Sequence, residues 1–272
     1  MKEKTSSLKY LKIFFLALSF TILLSIIFRF VNLTQNSSFK NNTFSLLYIS
    51  KESRVIYVDK KANTVFFLSV GDVGSIVKGK SPFIATIALG IPINAIIYDE
   101  DKNKNPDLNE FITFENQARL TLGFGHTFKN LNEYDLHKIM SIARSAKKDS
   151  TNSIKVNLLD EKSVKENISD IFLDSEIKNS KYSVEIVNGI DVNGLASSLA
   201  SVLMKLGYNV VFLQSVPGTY TDDSYVGYEI EKDLFVNSLL ALTKFEEKNK
   251  TISRSADVTI YLGSDLQSQF ND

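Results

Sequence analysis

The pattern of apolar and polar positions divides the chain into an apolar N-terminal run and a longer mixed part. Residues 13–28, IFFLALSFTILLSIIF, carry no charge. With its apolar neighbours the run reaches residues 10–31, about the ~20 residues that cross the hydrocarbon core of a bilayer. Four lysines precede it, and basic residues of this kind stay on the cytoplasmic side. The pattern predicts a cytoplasmic tail over 1–9, a transmembrane helix over 10–31 and all later residues outside.

A cleaved signal peptide has the same charged start and apolar run, so it is the alternative to a retained anchor. Its cleavage site requires small residues. Here the end of the run is bulky, with the residues FRFVNL at 28–33. The sequence therefore favours an anchor that stays on the protein.

Beyond the anchor, the pattern first predicts a linker and then strands. Residues 34–43, TQNSSFKNNT, are polar and rich in Asn and Ser, which predicts a short flexible linker. Three runs rich in β-branched and aromatic residues follow at 44–50, 54–60 and 64–70. Short polar breaks separate these runs, so we expect an antiparallel meander.

The middle of the chain mixes helical and extended patterns. Residues 81–101 predict a short helix, a Gly-Ile-Pro turn and a strand. Apolar positions recur at helical spacing over 131–146. A strand is predicted over 152–160 and a helix over 161–174, and a domain boundary follows near 175–181.

The C-terminal part alternates between strands and helices. The predicted strands are 183–188, 209–216, 224–230 and 257–263, and the predicted helices are 193–206 and 231–245. Such alternation is typical of an α/β sandwich. The fold class is therefore α/β, with an N-terminal transmembrane helix, a mixed α/β middle domain and a small C-terminal α/β sandwich.

Composition excludes several classes of function. The 31 basic and 31 acidic residues balance, whereas a nucleic-acid-binding protein carries a basic surplus. The chain has no cysteine, so disulfides and cysteine-based metal or redox sites are excluded. The two histidines, His126 and His137, have no catalytic constellation around them in the sequence. We assign no catalytic, cofactor-binding or metal-binding residue.

The glycines near residue 190 resemble a phosphate-binding loop only superficially. A dinucleotide fingerprint needs three glycines at fixed spacing, and only Gly189 and Gly194 are present. We therefore predict a structural turn at Asn188-Gly189, with a positive φ at the glycine. Asn193 is then the predicted N-cap of the following helix, and Gly207 its C-cap.

Residues 99–110, DEDKNKNPDLNE, place oxygen-bearing side chains where a calcium loop has its ligands. Two positions do not fit that loop. Lys104 stands where the loop needs glycine, and Pro106 stands at a position that is normally apolar. A solvated acidic loop is the favoured interpretation, and a calcium-dependent adhesion module is kept as an alternative.

Four separated motifs in the C-terminal part point to a known family. In order, they are VEIVNG at 184–189, GLA at 194–196, LGYNVV at 206–211 and ADVT at 256–259. Together they resemble the LytR C-terminal domain of bacterial envelope proteins. The resemblance covers residues 181–266.

The middle part, residues 44–177, resembles more weakly the LytR/CpsA/Psr catalytic domain, through the segments LGIPINAIIYD and DLHKIMSIARSAKKDS. That family moves a glycopolymer from a lipid pyrophosphate to the cell wall, with arginines on the pyrophosphate and acids on magnesium. Gly71 stands at the position of the signature arginine, and Asp72 matches the acid. The resemblance therefore implies a degenerate domain without transferase activity.

The expected protein is a single-pass membrane-anchored envelope protein with its later domains outside. Its expected role is non-catalytic binding or scaffolding, with a cell-wall glycopolymer or an envelope protein as partner and with neither nucleic acid nor cofactor. The enzymatic alternative is a minimal glycopolymer transferase that uses Asp72 with the remaining arginines. It requires at least two of Arg54, Arg119 and Arg144 to converge on Asp72.

Overall fold

The computed structural model describes residues 4–39, 42–50, 53–99, 126–146, 151–155, 171–218, 223–249 and 256–270. Helix α1 spans Lys4–Gln35. Its segment Tyr10–Gln35 is long and apolar enough to cross a membrane, and its most apolar window is not buried inside the protein. The predicted span of 10–31 lies within this helix.

Within the described residues the strands form two sheets, and the first has six strands. They are β1 (Thr43–Ile49), β2 (Ser53–Asp59), β3 (Thr64–Gly71), β4 (Ala95–Asp99), β5 (His126–Lys129) and β6 (Thr151–Lys155). Their order is β5-β4-β1-β2-β3-β6. Strands β1, β2 and β3 pair antiparallel, which confirms the meander, whereas β1–β4 and β3–β6 pair parallel.

Three helices accompany this sheet: α2 (Gly74–Val77), α3 (Pro82–Leu89) and α4 (Glu133–Ser145). Successive strand residues point to opposite faces, so each face of the sheet has its own apolar set. On one face Leu46 and Ile56 pack in a cluster with Leu136 and Ile139 of α4. The other face contributes to a larger core that the C-terminal part shares.

The second sheet has five strands: β7 (Ser183–Asn188), β8 (Asn209–Ser215), β9 (Tyr225–Tyr228), β10 (Glu246–Lys248) and β11 (Val258–Leu262). Their order is β10-β9-β11-β7-β8. The accompanying helices are α5 (Ser175–Lys178), α6 (Leu195–Leu206), α7 (Leu234–Thr243) and α8 (Gln267–Phe270), with a 3-10 turn at Ser264–Leu266. The predicted α/β class is confirmed.

One apolar core joins the two sheets. Leu47 and Val55 of the first sheet belong to the same cluster as Ile186 and Ile260 of the second. Ile177 of α5 is buried in this cluster, although α5 lies where the sequence predicted a boundary between domains. Burial of apolar surface is the main favourable term in folding, so the two parts stabilise each other.

Two hydrogen bonds and one aromatic contact also connect the two parts at this junction. The ammonium group of Lys205 in α6 donates to the carbonyl oxygen of Gly90 at 2.7 Å. The hydroxyl of Ser81, the N-cap of α3, donates to the side-chain oxygen of Gln269 at 2.8 Å. The rings of Phe83 and Phe245 meet with centroids 4.8 Å apart.

The ends of helix α6 correct one sequence prediction and confirm another. The N-cap is Gly194, with φ of 77° and no side-chain cap, and not Asn193 as predicted. The helix begins one residue later because Gly194 adopts a left-handed conformation that glycine tolerates without a Cβ clash. Gly207, with φ of 99°, is the C-cap as predicted.

The Asn188-Gly189 turn is present, but the predicted reason for its glycine is wrong. Gly189 is not among the residues with positive φ. A Cβ atom built there would lie 2.1 Å from the hydroxyl oxygen of Tyr261, a fully buried side chain. Close approach of an aromatic ring therefore requires glycine here. Asn188 closes the turn by donating from its amide to the carbonyl oxygen of Val192 at 3.0 Å.

Some predicted features lie outside the described residues. They include the 99–110 loop after Asp99, most of the 161–174 helix, and Arg119. Asp99 itself ends β4 and accepts a hydrogen bond from the hydroxyl of Tyr48 at 2.7 Å.

The buried face of α6 gives the first prediction. Leu199 is fully buried, whereas Met204 on the same helix is 55% exposed. Leu199→Ala should lower the free energy of unfolding by about 2–5 kcal/mol, because it leaves a cavity in the shared core. Met204→Ala should change it by about 0.5 kcal/mol or less. Urea unfolding of the full chain in detergent measures both, and equal effects would show that Leu199 does not anchor this core.

The Gly189 contact gives the second prediction. Gly189→Ala should lower the free energy of unfolding by about 1–3 kcal/mol, the usual cost of overpacking. The same substitution in a Tyr261→Ala background should cost much less, since the clashing ring is gone. Additive effects of the two substitutions in urea unfolding would instead indicate that backbone conformation, not the ring, requires glycine.

Candidate functional site

The structure describes Asp72, Arg54 and Arg144 of the alternative transferase site, whereas Arg119 lies outside the described residues. Asp72 follows β3 and accepts a backbone N–H at the start of α2. Arg54 lies near the same end of the β2–β3 hairpin. Arg144 lies at the other end, where its neighbour Ser145 accepts a hydrogen bond from Asn63 in the hairpin turn. Arg144 therefore does not converge with Arg54 on Asp72.

Two further candidates from the sequence remain without a site. His137 is exposed on α4, and His126 begins β5. Among the residues that the structure describes, no group of three His, Asp or Glu side chains could hold a metal ion.

The structure instead brings together a set of residues where α1 ends. We call residues 36–39, which follow α1, the strap. Ser37, Ser38 and Phe39 of the strap are buried. Residues 37–39 are therefore not the flexible linker that was predicted over 34–43.

The strap is held by the buried carboxylate of Asp135 in the first turn of α4. This carboxylate accepts hydrogen bonds from the Ser37 hydroxyl, from the Ser38 N–H at 3.0 Å and from the Phe39 N–H at 3.2 Å. A buried charge is tolerated only when it is paired or well hydrogen-bonded. The strap supplies those donors, so each part stabilises the other.

Asp135 is also part of the N-terminal cap of α4. The Asn132 side chain accepts from the Asp135 N–H at 2.9 Å, and the Asp135 carboxylate accepts from the Asn132 N–H at 3.4 Å. This is a reciprocal capping box, and it satisfies donors that the first helical turn leaves open. The cap fixes the position of the carboxylate that the strap binds.

Helix α1 packs directly against this first turn of α4. Arg29 forms an ion pair with Glu133 at 3.0 Å, and the Phe30 ring meets the Tyr134 ring edge-on at 6.0 Å. The Asn132 amide donates to the carbonyl oxygen of Leu33 at 2.9 Å. Because Arg29 and Glu133 are 70% and 49% exposed, their pair contributes little to stability. The hydrogen bonds to the buried Asp135 carboxylate therefore contribute more to the stability of this junction than the ion pair does.

Two lysines complete the strap's surroundings. Lys138 of α4 donates to the carbonyl oxygen of Phe39 at 2.9 Å and lies 4.4 Å above the Phe39 ring. Burial lowers the pKa of Lys138, and the nearby charge of Lys60 lowers it further. Lys244, at the end of α7, donates to the Ser38 hydroxyl at 3.2 Å. The strap thus contacts both the middle part and the C-terminal part of the protein.

A cleft of about 370 Å³ opens beside the strap. It is lined by four asparagines, one serine and two leucines, namely Asn32, Asn36, Asn130, Asn132, Ser38, Leu33 and Leu131. Asn130 has φ of 57°, a left-handed conformation that asparagine tolerates better than most residues. This amide-lined cleft and the strap form the candidate functional site.

Sequence reasoning missed this site for a physical reason. The Asn-x-x-Asp spacing at the start of the predicted 131–146 helix is a capping signal, and it could have indicated the local role of Asp135. The bonds from Asp135 to the strap join residues far apart in the sequence. No local pattern encodes such a contact.

Comparison with protein families identifies the C-terminal part. The family model for the LytR cell envelope-related transcriptional attenuator matches residues 181–266. This range coincides with the one that the four sequence motifs predicted. Residues 181–266 therefore form a LytR C-terminal domain. The match covers less than half of the chain and does not extend to residues 44–177. The resemblance of those residues to a LytR/CpsA/Psr domain therefore stays a prediction.

Solved structures from two Listeria species are similar to part of the chain. The Lin1025 protein of Listeria innocua matches with 11% identity and a TM-score of 0.31, over 43% of this chain and 83% of its own. A fragment of Lmo1026 of Listeria monocytogenes matches with 12% identity and a TM-score of 0.29, over 43% and 81%. No curated protein matches the chain.

The strap gives the third prediction. Asp135→Ala should remove the acceptor of the Ser38 amide and leave the Phe39 amide with only the Ser37 hydroxyl, at a cost of about 3 kcal/mol. Their hydrogen exchange should then accelerate by about two orders of magnitude. Glu133→Gln in the same helical turn removes only an exposed ion pair and should leave exchange almost unchanged. Hydrogen exchange with mass spectrometry compares the variants, and slow exchange in Asp135→Ala would show that the carboxylate does not hold the strap.

Proposed function

We propose that the protein is a single-pass membrane-anchored component of the bacterial cell envelope. Its outer part binds or scaffolds envelope components and does not catalyse a transfer reaction. The observation that carries this proposal is the LytR C-terminal domain over residues 181–266, in the same chain as the apolar helix α1. The shared core and the strap connect the two through the middle part.

The surface of α1 supports the anchor. Large apolar side chains from Tyr10 to Val31 are 42–77% exposed. Water-exposed apolar surface on this scale is unfavourable, whereas a lipid core accommodates it without cost. The lysines before Ile13 support an orientation with the N-terminus in the cytoplasm and the later residues outside.

The non-catalytic role is supported by the middle part. Arg144 lies at the opposite end of the β2–β3 hairpin from Asp72. Gly71, at the position of the family's signature arginine, has φ of 77°, which side chains other than glycine rarely adopt. A pyrophosphate requires several converging arginine donors, and the described residues do not provide them around Asp72.

A binding or scaffolding role is also supported by the edge of the second sheet. Strand β8 is an edge strand, and Val211, Phe212 and Leu213 are 44–48% exposed. Proteins usually protect such edges with charged residues, but residues 206–218 contain none. Exposed apolar surface of this kind is typical of interaction sites.

Topology gives the fourth prediction, and the absence of cysteine makes it testable with single-cysteine variants. A membrane-impermeant maleimide applied to intact bacteria should label Met204→Cys, because residue 204 is exposed and lies outside the cell in our proposal. Ser6→Cys should react only after the membrane is opened.

The opposite labelling pattern would overturn the proposed orientation. If residue 6 stays unlabelled even after lysis and the protein has a correspondingly lower mass, the N-terminal segment is a cleaved signal peptide and not an anchor.

A further inference from the structure

The cleft beside the strap has one wall whose polar groups are already fixed. Asn132 uses its amide nitrogen on Leu33 and its oxygen on Asp135. The Asn130 amide donates to the carbonyl oxygen of Asn94, and its oxygen accepts from the Ser38 hydroxyl at 2.9 Å. A wall with fixed side chains loses little conformational freedom when a ligand binds.

The part of the lining on the last turns of α1 offers open groups. The Asn36 amide nitrogen donates to the Asn32 oxygen at 2.7 Å. This bond leaves the Asn32 amide nitrogen and the Asn36 oxygen without a partner among the residues that the structure describes. This part of the lining therefore presents an open donor and an open acceptor on neighbouring turns of one helix.

The lining selects the chemistry of a ligand. Lysine, arginine and carboxylate side chains are absent from the residues that line this cleft, so it lacks the charged partners that a phosphate or a metal ion requires. A hydroxyl group both donates and accepts, as an amide does. Leu33 and Leu131 add apolar surface to the lining, which suits the C–H face of a sugar ring.

We propose that this cleft binds a neutral sugar ring, with Asn32 and Asn36 as its hydrogen-bonding residues. The cleft volume of about 370 Å³ is in the range of small-molecule sites. Because Asn32 directly follows the predicted span, the sugar could belong to a glycolipid headgroup or to a soluble glycan. The glycolipid source rests on the proposed membrane anchor, whereas the soluble source does not.

The test uses the full chain in phospholipid nanodiscs, with and without monoglucosyldiacylglycerol in both leaflets. Methyl β-glucoside, added to discs without the glycolipid, is the soluble probe. The double variant Asn32→Leu/Asn36→Leu removes both open amides. Gln35→Leu is the matched control, because Gln35 is an exposed amide on the same turn of α1 that does not line the cleft. Circular dichroism and thermal unfolding verify that all variants are folded.

The proposal predicts that native mass spectrometry finds glycolipid retained by the wild type and by Gln35→Leu. Retention by the double variant should be about tenfold weaker, the effect of losing two hydrogen bonds. If only the glucoside binds, with the same pattern among variants, the sugar comes from a soluble glycan. Binding of neither probe, or equal binding by the double variant, overturns the proposal. Both leaflets carry glycolipid, so a wrong topology affects the labelling experiment and not this one.

Discussion

The hydrogen bonds to the Asp135 carboxylate connect helix α1 to the rest of the protein. It is buried, and it accepts hydrogen bonds from three consecutive strap residues and from the cap of its own helix. A buried carboxylate left without donors would cost several kcal/mol. These hydrogen bonds therefore hold the strap against α4. Because the strap directly follows α1, they also fix the end of α1 relative to α4.

The shared apolar core extends this constraint to the C-terminal domain. Leu47 and Val55 pack in the same cluster as Ile186 and Ile260, and Lys244 reaches the strap residue Ser38. Excision of residues 181–266 would expose part of this core, which is unfavourable in water. The LytR C-terminal domain is consequently one part of a packed body, and that body is joined to helix α1.

The sequence predicted the features that depend on local patterns. The alternation of patterns predicted a helix over 193–206, which the structure has at Leu195–Leu206. Runs of β-branched and aromatic residues predicted the β1–β3 meander. The misses depend on contacts between distant residues. Gly189 is required by the ring of Tyr261, and a polar strap became buried because Asp135 lies beneath it. Neither partner can be recognised from the residues next to it.

These contacts join helix α1 and the packed body into one rigid unit. Electron spin resonance distance measurements in nanodiscs test it most directly, with spin labels at Ser25→Cys in α1 and Met204→Cys in α6 of the cysteine-free chain. A rigid unit gives one narrow distance distribution, which broadens when Asp135→Ala releases the strap. A broad distribution in the otherwise unchanged chain, as a flexible linker over 34–43 would produce, would contradict it.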